Sequence, residues 1–129
     1  MNYSVAELSD IVGKTPISIE QHGDVEIVMS FLDGSTGVLY HEQDCCECVS
    51  IDDVNGDWTD LLNNPLLVAD ERVSRSPPTD AIVSEWDDSN TWTFYTFRGV
   101  GGSVDVRWHG SSNGYYSEGV DFKLKESTT

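Results

Sequence analysis

The sequence predicts a mainly β fold, a single antiparallel sandwich-like or barrel-like domain of about eight or nine short strands with one or two short helices. Two observations support this prediction. Short runs of alternating apolar and polar residues recur along the chain, and residues typical of turns (Gly, Asn, Asp and Pro) separate them. A chain of 129 residues is also long enough to bury the core of one domain.

The first half begins with an N-terminal helical segment, predicted over residues 1–12. Ser4 is a suitable N-cap, Glu7 follows three residues later as a capping box requires, and Gly13 ends the helix. Alternation then predicts four strands and a turn; the strands cover residues 16–19, 25–31, 36–40 and 49–51, and the turn covers 33–35. Asp57 is predicted to cap a short helical turn that runs to Leu62.

The second half contains the clearest strand pattern. Residues 91–98 carry aromatic side chains on both faces, which predicts a strand in the middle of the fold. The remaining predictions are a buried strand at 66–69, a surface loop at Pro77-Pro78, strands at 81–86, 104–109 and 120–124, turns at 99–102 and 112–114, and a frayed tail at 126–129.

The charge balance is the most unusual property of the chain. It has 23 acidic residues against 7 Lys and Arg, giving a formal net charge of −16. Such a charge repels phosphates and anionic lipid surfaces, so we expect neither direct nucleic-acid binding nor membrane docking. It is compatible with basic partners, bound cations or simple solubility. With no recognisable signal peptide and no apolar run of roughly 20 residues, we expect a cytoplasmic protein with reduced thiols.

Residues 41–48 hold one imidazole, three carboxylates and three thiols. A weak metal-site hypothesis follows, with His41, Cys45, Cys46 and Cys48 as ligands. A strand end with small buried thiols and exposed acids is favoured instead, because no second spaced Cys/His pair follows. Residues 52–57 lack the ligand spacing of a calcium loop, so we predict no cofactor.

Catalytic signatures are missing, and we predict that the protein is not an enzyme. There is no Gly-x-Ser-x-Gly motif, and the glycines at 99–102 precede a strand rather than a helix. A hydrolase that uses His22, His41 or His109 is retained only as the least favoured hypothesis. Residues 108–116 form either a binding loop or a hairpin with core-facing aromatics, and at least one of Tyr115 and Tyr116 should reach the surface.

Three segments resemble a known family: Tyr40–Glu47, Trp92–Tyr95 and Ser112–Glu118. The family comprises small acidic proteins of unknown function found mainly in bacteriophages and related mobile elements, and the resemblance runs from about Gly13 to Phe122. It implies a phage setting and carries over no catalytic residues.

The resulting functional hypothesis is an inhibitor of a nucleic-acid-binding host defence machine, of the anti-CRISPR or anti-restriction type. It would occupy a basic surface as a nucleic-acid mimic. The predicted partner-contact residues are Glu42, Asp44, Glu47, Asp52, Asp53, Asp57, Trp58, Trp86, Tyr115 and Tyr116. The alternative is a protein that sequesters a small molecule or metal through segments 41–48 and 108–116.

Overall fold

The computed structural model describes residues 4–43, 46–75, 89–112 and 117–126, and it confirms the mainly β fold. Within these residues nine strands pair with antiparallel neighbours in two sheets, as in a sandwich. The strands are β1 (Ser4–Val5), β2 (Pro16–His22), β3 (Glu26–Phe31), β4 (Thr36–Tyr40), β5 (Cys48–Asn55), β6 (Val68–Ser74), β7 (Ser89–Gly99), β8 (Gly102–Ser112) and β9 (Asp121–Lys125). Sheet I has the order β1-β9-β4-β3-β2, and sheet II has the order β5-β8-β7-β6.

Sheet I combines local hairpins with one pairing between strands that lie far apart in the sequence. The turn predicted at residues 33–35 joins β3 to β4, and Gly34 adopts a φ of 90° there, a conformation that glycine tolerates best. β9 returns from the end of the chain to pair with β4, from Thr36 opposite Lys125 to Tyr40 opposite Asp121. The last strand thereby becomes an inner strand of the sheet.

Sheet II is built around a hairpin of two 11-residue strands, β7 and β8. Gly99 pairs with Gly102, which confirms the predicted turn. β7 lies between β8 and β6, so the prediction of a central strand is also confirmed. The inward-facing residues of both sheets form the core, which includes Ile27, Met29, Phe31, Leu39, Tyr95, Phe97, Val104, Val106 and Trp108.

The predicted N-terminal helical segment is largely wrong. Ser4 and Val5 pair with β9, and within residues 4–12 the only helical turn is a 3₁₀ helix at Leu8–Ile11. The capping pattern is shifted, because the Glu7 backbone N–H donates to Asp10 Oδ2 at 3.1 Å. Eight residues are too few for a stable isolated α-helix, so pairing with β9 prevails.

Several other local predictions can be compared with the structure. A second 3₁₀ helix, Trp58–Leu61, begins after Asp57 as predicted. The strand predicted at 49–51 extends over all of β5. The buried strand predicted at 66–69 is wrong in two respects: β6 begins only at Val68, and it is an edge strand whose residues are exposed or half-buried. The proline loop, the strand at 81–86, residues 113–114 of the predicted turn and residues 127–129 of the tail lie outside the described residues. Among the described residues, no helix is long and apolar enough to span a bilayer.

A buried carboxylate anchors the segment that leads into β9. Glu118 accepts hydrogen bonds from the hydroxyl groups of Thr91, at 2.8 Å, and Ser112. Burial by itself raises the pKa of Glu118, but hydrogen bonds from Ser112, Thr91 and Ser89 and the charge of Arg75 outweigh it and lower the pKa. The backbone of Glu118 also packs directly on Gly110 of β8.

This close approach predicts that Gly110→Ala destabilises the fold. The added Cβ would overlap the carbonyl oxygen of Glu118, and overpacking of this kind costs roughly 1–3 kcal/mol. Gly119→Ala is the matched control, because its Cβ would meet nothing nearer than Ser117 Oγ at 3.8 Å. Urea unfolding measures both variants; equal free energies of unfolding would contradict the packing argument.

Candidate functional site

A row of polar side chains crosses the outward face of sheet I beside the β2–β3 turn. The strand register places His22 opposite Glu26, Glu26 opposite Tyr40, and Tyr40 opposite Asp121. Because neighbouring strands lie about 4.8 Å apart, the row spans roughly 14 Å. Two of its four members are carboxylates that lie far apart in the sequence.

His22 is held between two carboxylates at one end of this row. Its Nδ1 lies 2.8 Å from Glu26 Oε1, and its Nε2 lies 3.2 Å from Glu20 Oε2. The hydrogen bonds with Glu26 and then Glu20 raise the pKa of His22, against a smaller opposing effect of burial. The two carboxylates therefore favour a positive charge at this place, in the form of the His22 imidazolium.

Further carboxylates join the row from neighbouring segments. The Ile51 backbone N–H donates to the Asp24 carbonyl at 2.6 Å, which brings Asp52 of β5 beside the β2–β3 turn. At the other end of the row, the Glu42 backbone N–H donates to Asp121 Oδ2 at 2.8 Å. We call this surface the acidic rim; its members are Glu20, Asp24, Glu26, Glu42, Asp52 and Asp121, all exposed or half-buried.

Two cations lie against the rim and reduce its charge only in part. Arg107 Nε donates to Asp52 Oδ2 at 2.7 Å. The ammonium of Lys123 lies 4.4 Å from the centre of the Tyr40 ring, a cation–π distance. Six carboxylates against these two side chains and the His22 imidazolium still leave the rim with an excess of negative charge.

A cleft of about 570 Å³ opens next to the rim, where the edge strands of the two sheets face each other. Its polar lining includes the carboxylate residues Glu7, Asp70, Glu71 and Asp121, so Asp121 belongs to both the rim and the cleft. Ser9, Tyr40 and a set of small or apolar residues complete the lining; the latter are Ala6, Leu8, Ala69, Val120 and Phe122. This combination suits a cationic group carried on an aliphatic stem.

One buried tyrosine holds a carboxylate of the cleft in place, and a second tyrosine lies beside other carboxylates. Tyr95 Oη donates to Glu71 Oε2 at 2.7 Å, and burial, followed by the bond to Glu71, raises the pKa of Tyr95. Burial also raises the pKa of Tyr40, with the charges of Asp121 and Glu42 adding to the effect. Both phenols are therefore neutral at physiological pH, and Tyr95 is a fixed hydrogen-bond donor to Glu71.

His41 and Glu47 form a buried pair next to the rim. Their side chains are 4% and 0% exposed, and His41 Nε2 lies 2.8 Å from Glu47 Oε2. His41 Nδ1 lies 2.8 Å from the carbonyl oxygen of Gly119. A carbonyl only accepts, so Nδ1 carries a proton, and a second proton must lie between Nε2 and the carboxylate. Gln43 also donates to Glu47 Oε1, at 3.2 Å.

This pairing corrects one sequence prediction. Glu47 was expected to contact a partner, but its fully buried side chain cannot do so. The density of acids in residues 41–48 suggested that all of them lie on the surface. Glu47 is buried instead, because the fold pairs it with His41. Of the same segment, Glu42 does lie on the rim, and Asp44 is outside the described residues.

The other predicted contact residues are dispersed. Asp52 belongs to the rim, and Asp53 lies opposite Arg107 in sheet II. Asp57 caps the second 3₁₀ helix through the Thr59 backbone N–H, at 3.0 Å. Trp58 packs on Phe97, with ring centres 6.1 Å apart, and donates to Gln21. Trp86, Tyr115 and Tyr116 lie outside the described residues.

The described residues of the cysteine segment do not form the metal site that the sequence weakly suggested. Within the described residues, no group of three or more His, Cys, Asp or Glu side chains could hold a metal ion. His41 is engaged by Gly119 and Glu47, and Cys48 is a free, exposed thiol. Cys46 is disulfide-bonded, so the expectation of reduced thiols is wrong for this residue. Cys45 lies outside the described residues.

Most of the site escaped sequence reasoning. The residues missed were Glu7, Glu20, Asp24, Glu26, Asp70, Glu71 and Asp121. They are scattered along the chain as single acids or, for Asp70 and Glu71, as one pair, and the pairing of β9 with β4 and the facing of β1 and β6 bring them together. The one local hint in the sequence was the pair Glu20 and Asp24, which lie two residues before and two residues after His22.

The comparisons identify a family without a known activity. The domain of unknown function DUF7448 matches residues 9–122, so the chain belongs to this family. No curated protein and no solved structure gives a significant match to the chain.

The buried pair predicts a sharp difference between two substitutions of Glu47. Glu47→Ala leaves the buried His41 without its partner and should lower the free energy of unfolding by about 3 kcal/mol. Glu47→Gln should cost clearly less, because its amide N–H can donate to a neutral His41 and its carbonyl can accept from Gln43. Chemical unfolding at pH 7 compares the variants, and equal losses would argue against the hydrogen-bonded pair.

The two carboxylates around His22 predict a shifted titration. The pKa of His22 should lie above that of a free histidine, and Glu26→Gln should lower it more than Glu20→Gln. Because the folded-state pKa is raised, the stabilisation is complete below the unfolded-state pKa and disappears as pH rises through the folded-state value. NMR titration of the imidazole resonances tests this; an unchanged midpoint in both variants would contradict it.

Proposed function

We propose that this protein is an acidic binding protein that occupies the basic surface of a nucleic-acid-binding partner. The observation that carries the proposal is the continuity of the acidic rim and the cleft, which share Asp121. Carboxylates from both sheets meet on this one surface, with few cations against them. A net charge of −16 alone would be compatible with mere solubility, whereas a gathered surface favours recognition.

The scaffold suits this task because its carboxylates are held by backbone and side-chain hydrogen bonds. Glu71 is fixed by Tyr95 and Asp121 by the Glu42 backbone, so little conformational entropy is lost on binding. The cleft could take a Lys or Arg side chain, with its methylenes on Leu8 and Phe122 and its charged group at the carboxylates. Such contacts also accelerate association with a cationic groove.

The class of partner follows from the phage setting that the sequence resemblance implies. Host defence enzymes bind nucleic acid through Lys- and Arg-lined channels, and an acidic protein in such a channel would exclude the nucleic acid. CRISPR effectors and restriction enzymes are therefore the first partners to test. The alternative, sequestration through segments 41–48 and 108–116, has less support, since His41 and Glu47 are bonded to each other.

A charge-matched pair of variants tests the proposal. The rim variant combines Glu20→Gln, Glu26→Gln and Asp121→Asn; the control combines Asp60→Asn, Asp105→Asn and Glu126→Gln and so removes the same charge elsewhere. Binding to a panel of purified CRISPR effectors and restriction enzymes is measured by biolayer interferometry at low and high salt, with competing duplex DNA.

We expect a panel member whose binding weakens with salt, is displaced by DNA, and falls at least about tenfold (~1.4 kcal/mol) in the rim variant but not in the control. Equal loss in both variants would mean that total charge, rather than the rim, drives binding. Binding that is indifferent to salt and DNA, or no binding to any member of the panel, would overturn the proposal.

A further inference from the structure

Aliphatic side chains are gathered at one place on the surface. Of the seven large hydrophobic residues that are exposed in the described part of the chain, five lie on segments that backbone hydrogen bonds join to one another, and these five are 46–73% exposed. We call this surface the apolar pole; its members are Val12, Ile17, Leu32, Leu67 and Val100. The other two, Val25 and Val73, lie on the β2–β3 turn and on β6.

Backbone hydrogen bonds bring the segments of the pole together. The Leu32 N–H donates to Thr15 at 2.8 Å, which joins the β3–β4 turn to the chain that leads into β2. The Gly13 N–H donates to Leu66 at 2.8 Å, and the Leu67 N–H donates to Arg98 at 2.8 Å, two residues before Val100. Four separate connections are thus fixed side by side, each presenting an aliphatic side chain to solvent.

Single exposed aliphatic residues need no explanation, but a contiguous group of them marks an interaction surface. The core does not require these side chains, because Ile11, Phe31 and Leu66 are the buried neighbours that fill it. The aliphatic groups at the pole therefore contribute less to the fold than core residues do, and their exposed fraction can be buried only by a partner.

The charge of the pole indicates what that partner is. The segments that form it, residues 12–17, 32–33, 66–67 and 100–101, contain one cation and one anion. These two, Lys14 and Asp33, are paired at 2.5 Å, and Glu126 lies 3.8 Å from the same ammonium. Two copies of a chain with net charge −16 repel each other over most of their surfaces, and at this weakly charged region a copy can approach at a lower electrostatic cost.

We propose that the apolar pole is the interface of a two-fold symmetric dimer of this chain. The contact would be isologous, with the same patch on both copies. A groove of about 300 Å³ lies within the pole, lined by Gly13, Lys14, Thr15, Leu32 and Asp33. Leu32 stands beside this groove, so that Leu32 of each copy can enter the groove of the other.

Lys14 and Asp33 both line the groove and are already paired within each copy, so their charges are balanced before a second copy approaches. A basic protein partner, in contrast, would be drawn to the acidic rim rather than to this weakly charged surface. The dimer inference does not depend on the proposed function, because the pole and the rim have no residue in common.

Sedimentation velocity on the full chain tests the dimer over a concentration series up to about 1 mM, a range that detects association of only about 4 kcal/mol. Leu32→Asp should abolish the dimer. Val25→Asp is the matched control, since Val25 is 57% exposed and the substitution adds the same charge at a distant turn. Thermal unfolding verifies that both variants remain folded.

Salt separates this inference from the proposed function. Screening weakens the repulsion between two acidic copies, so the dimer should tighten as salt rises, whereas binding of the acidic rim to a basic partner should weaken. A dimer that is present in the native chain and in Val25→Asp, but absent in Leu32→Asp, supports the inference. A monomer at every concentration and salt level, or equal dimerisation of the two variants, overturns it.

Discussion

The pairing of β4 with β9 is the constraint on which the rest of the structure depends. It joins strands separated by about two-thirds of the chain, and β1 adds to sheet I only through β9. Without this pairing, sheet I would be a three-stranded meander with an exposed edge. Asp121 would not lie beside Tyr40, the Gly119 carbonyl would not meet His41, and the cleft between the sheets would lack one wall. The electrostatic surface is therefore a product of tertiary structure.

Sequence reasoning succeeded where neighbouring residues decide the structure. The turn at Asp33–Ser35, the Gly99–Gly102 turn, the central β7 strand and the Asp57 cap all follow from local chemistry. The N-terminal helix failed for the opposite reason. Ser4 and Glu7 have the spacing of a capping box, but the backbone of Ser4 finds stronger partners in β9. A short helix has too little intrinsic stability to compete with a sheet edge that needs covering.

The acidic surface was only partly predictable, because residues were chosen by their density along the chain. Density selected Glu42 and Asp52, which lie on the exposed rim, yet it also included Glu47, which the fold buries against His41. Isolated acids such as Glu20 and Asp121 gave no comparable signal in the sequence. Their importance arises from register: a one-residue slip of β9 would turn Asp121 toward the core and Phe122 toward solvent. The arrangement of carboxylates on this surface therefore depends on strand pairing rather than on a contiguous sequence motif.

The long β7–β8 hairpin has a consequence for the order of assembly. Its strands are joined by a two-residue turn, so its contacts are local and its loop-closure cost is small. The pairing of β9 with β4 is the opposite case, because these strands lie far apart in the sequence and a long loop must close before they meet. We therefore expect sheet II to organise early in folding and the β9 closure to come late. An incompletely folded or truncated chain could then keep a hydrophobic core around β7 and β8 while lacking the assembled array of carboxylates. Recognition would be a property of the finished molecule only.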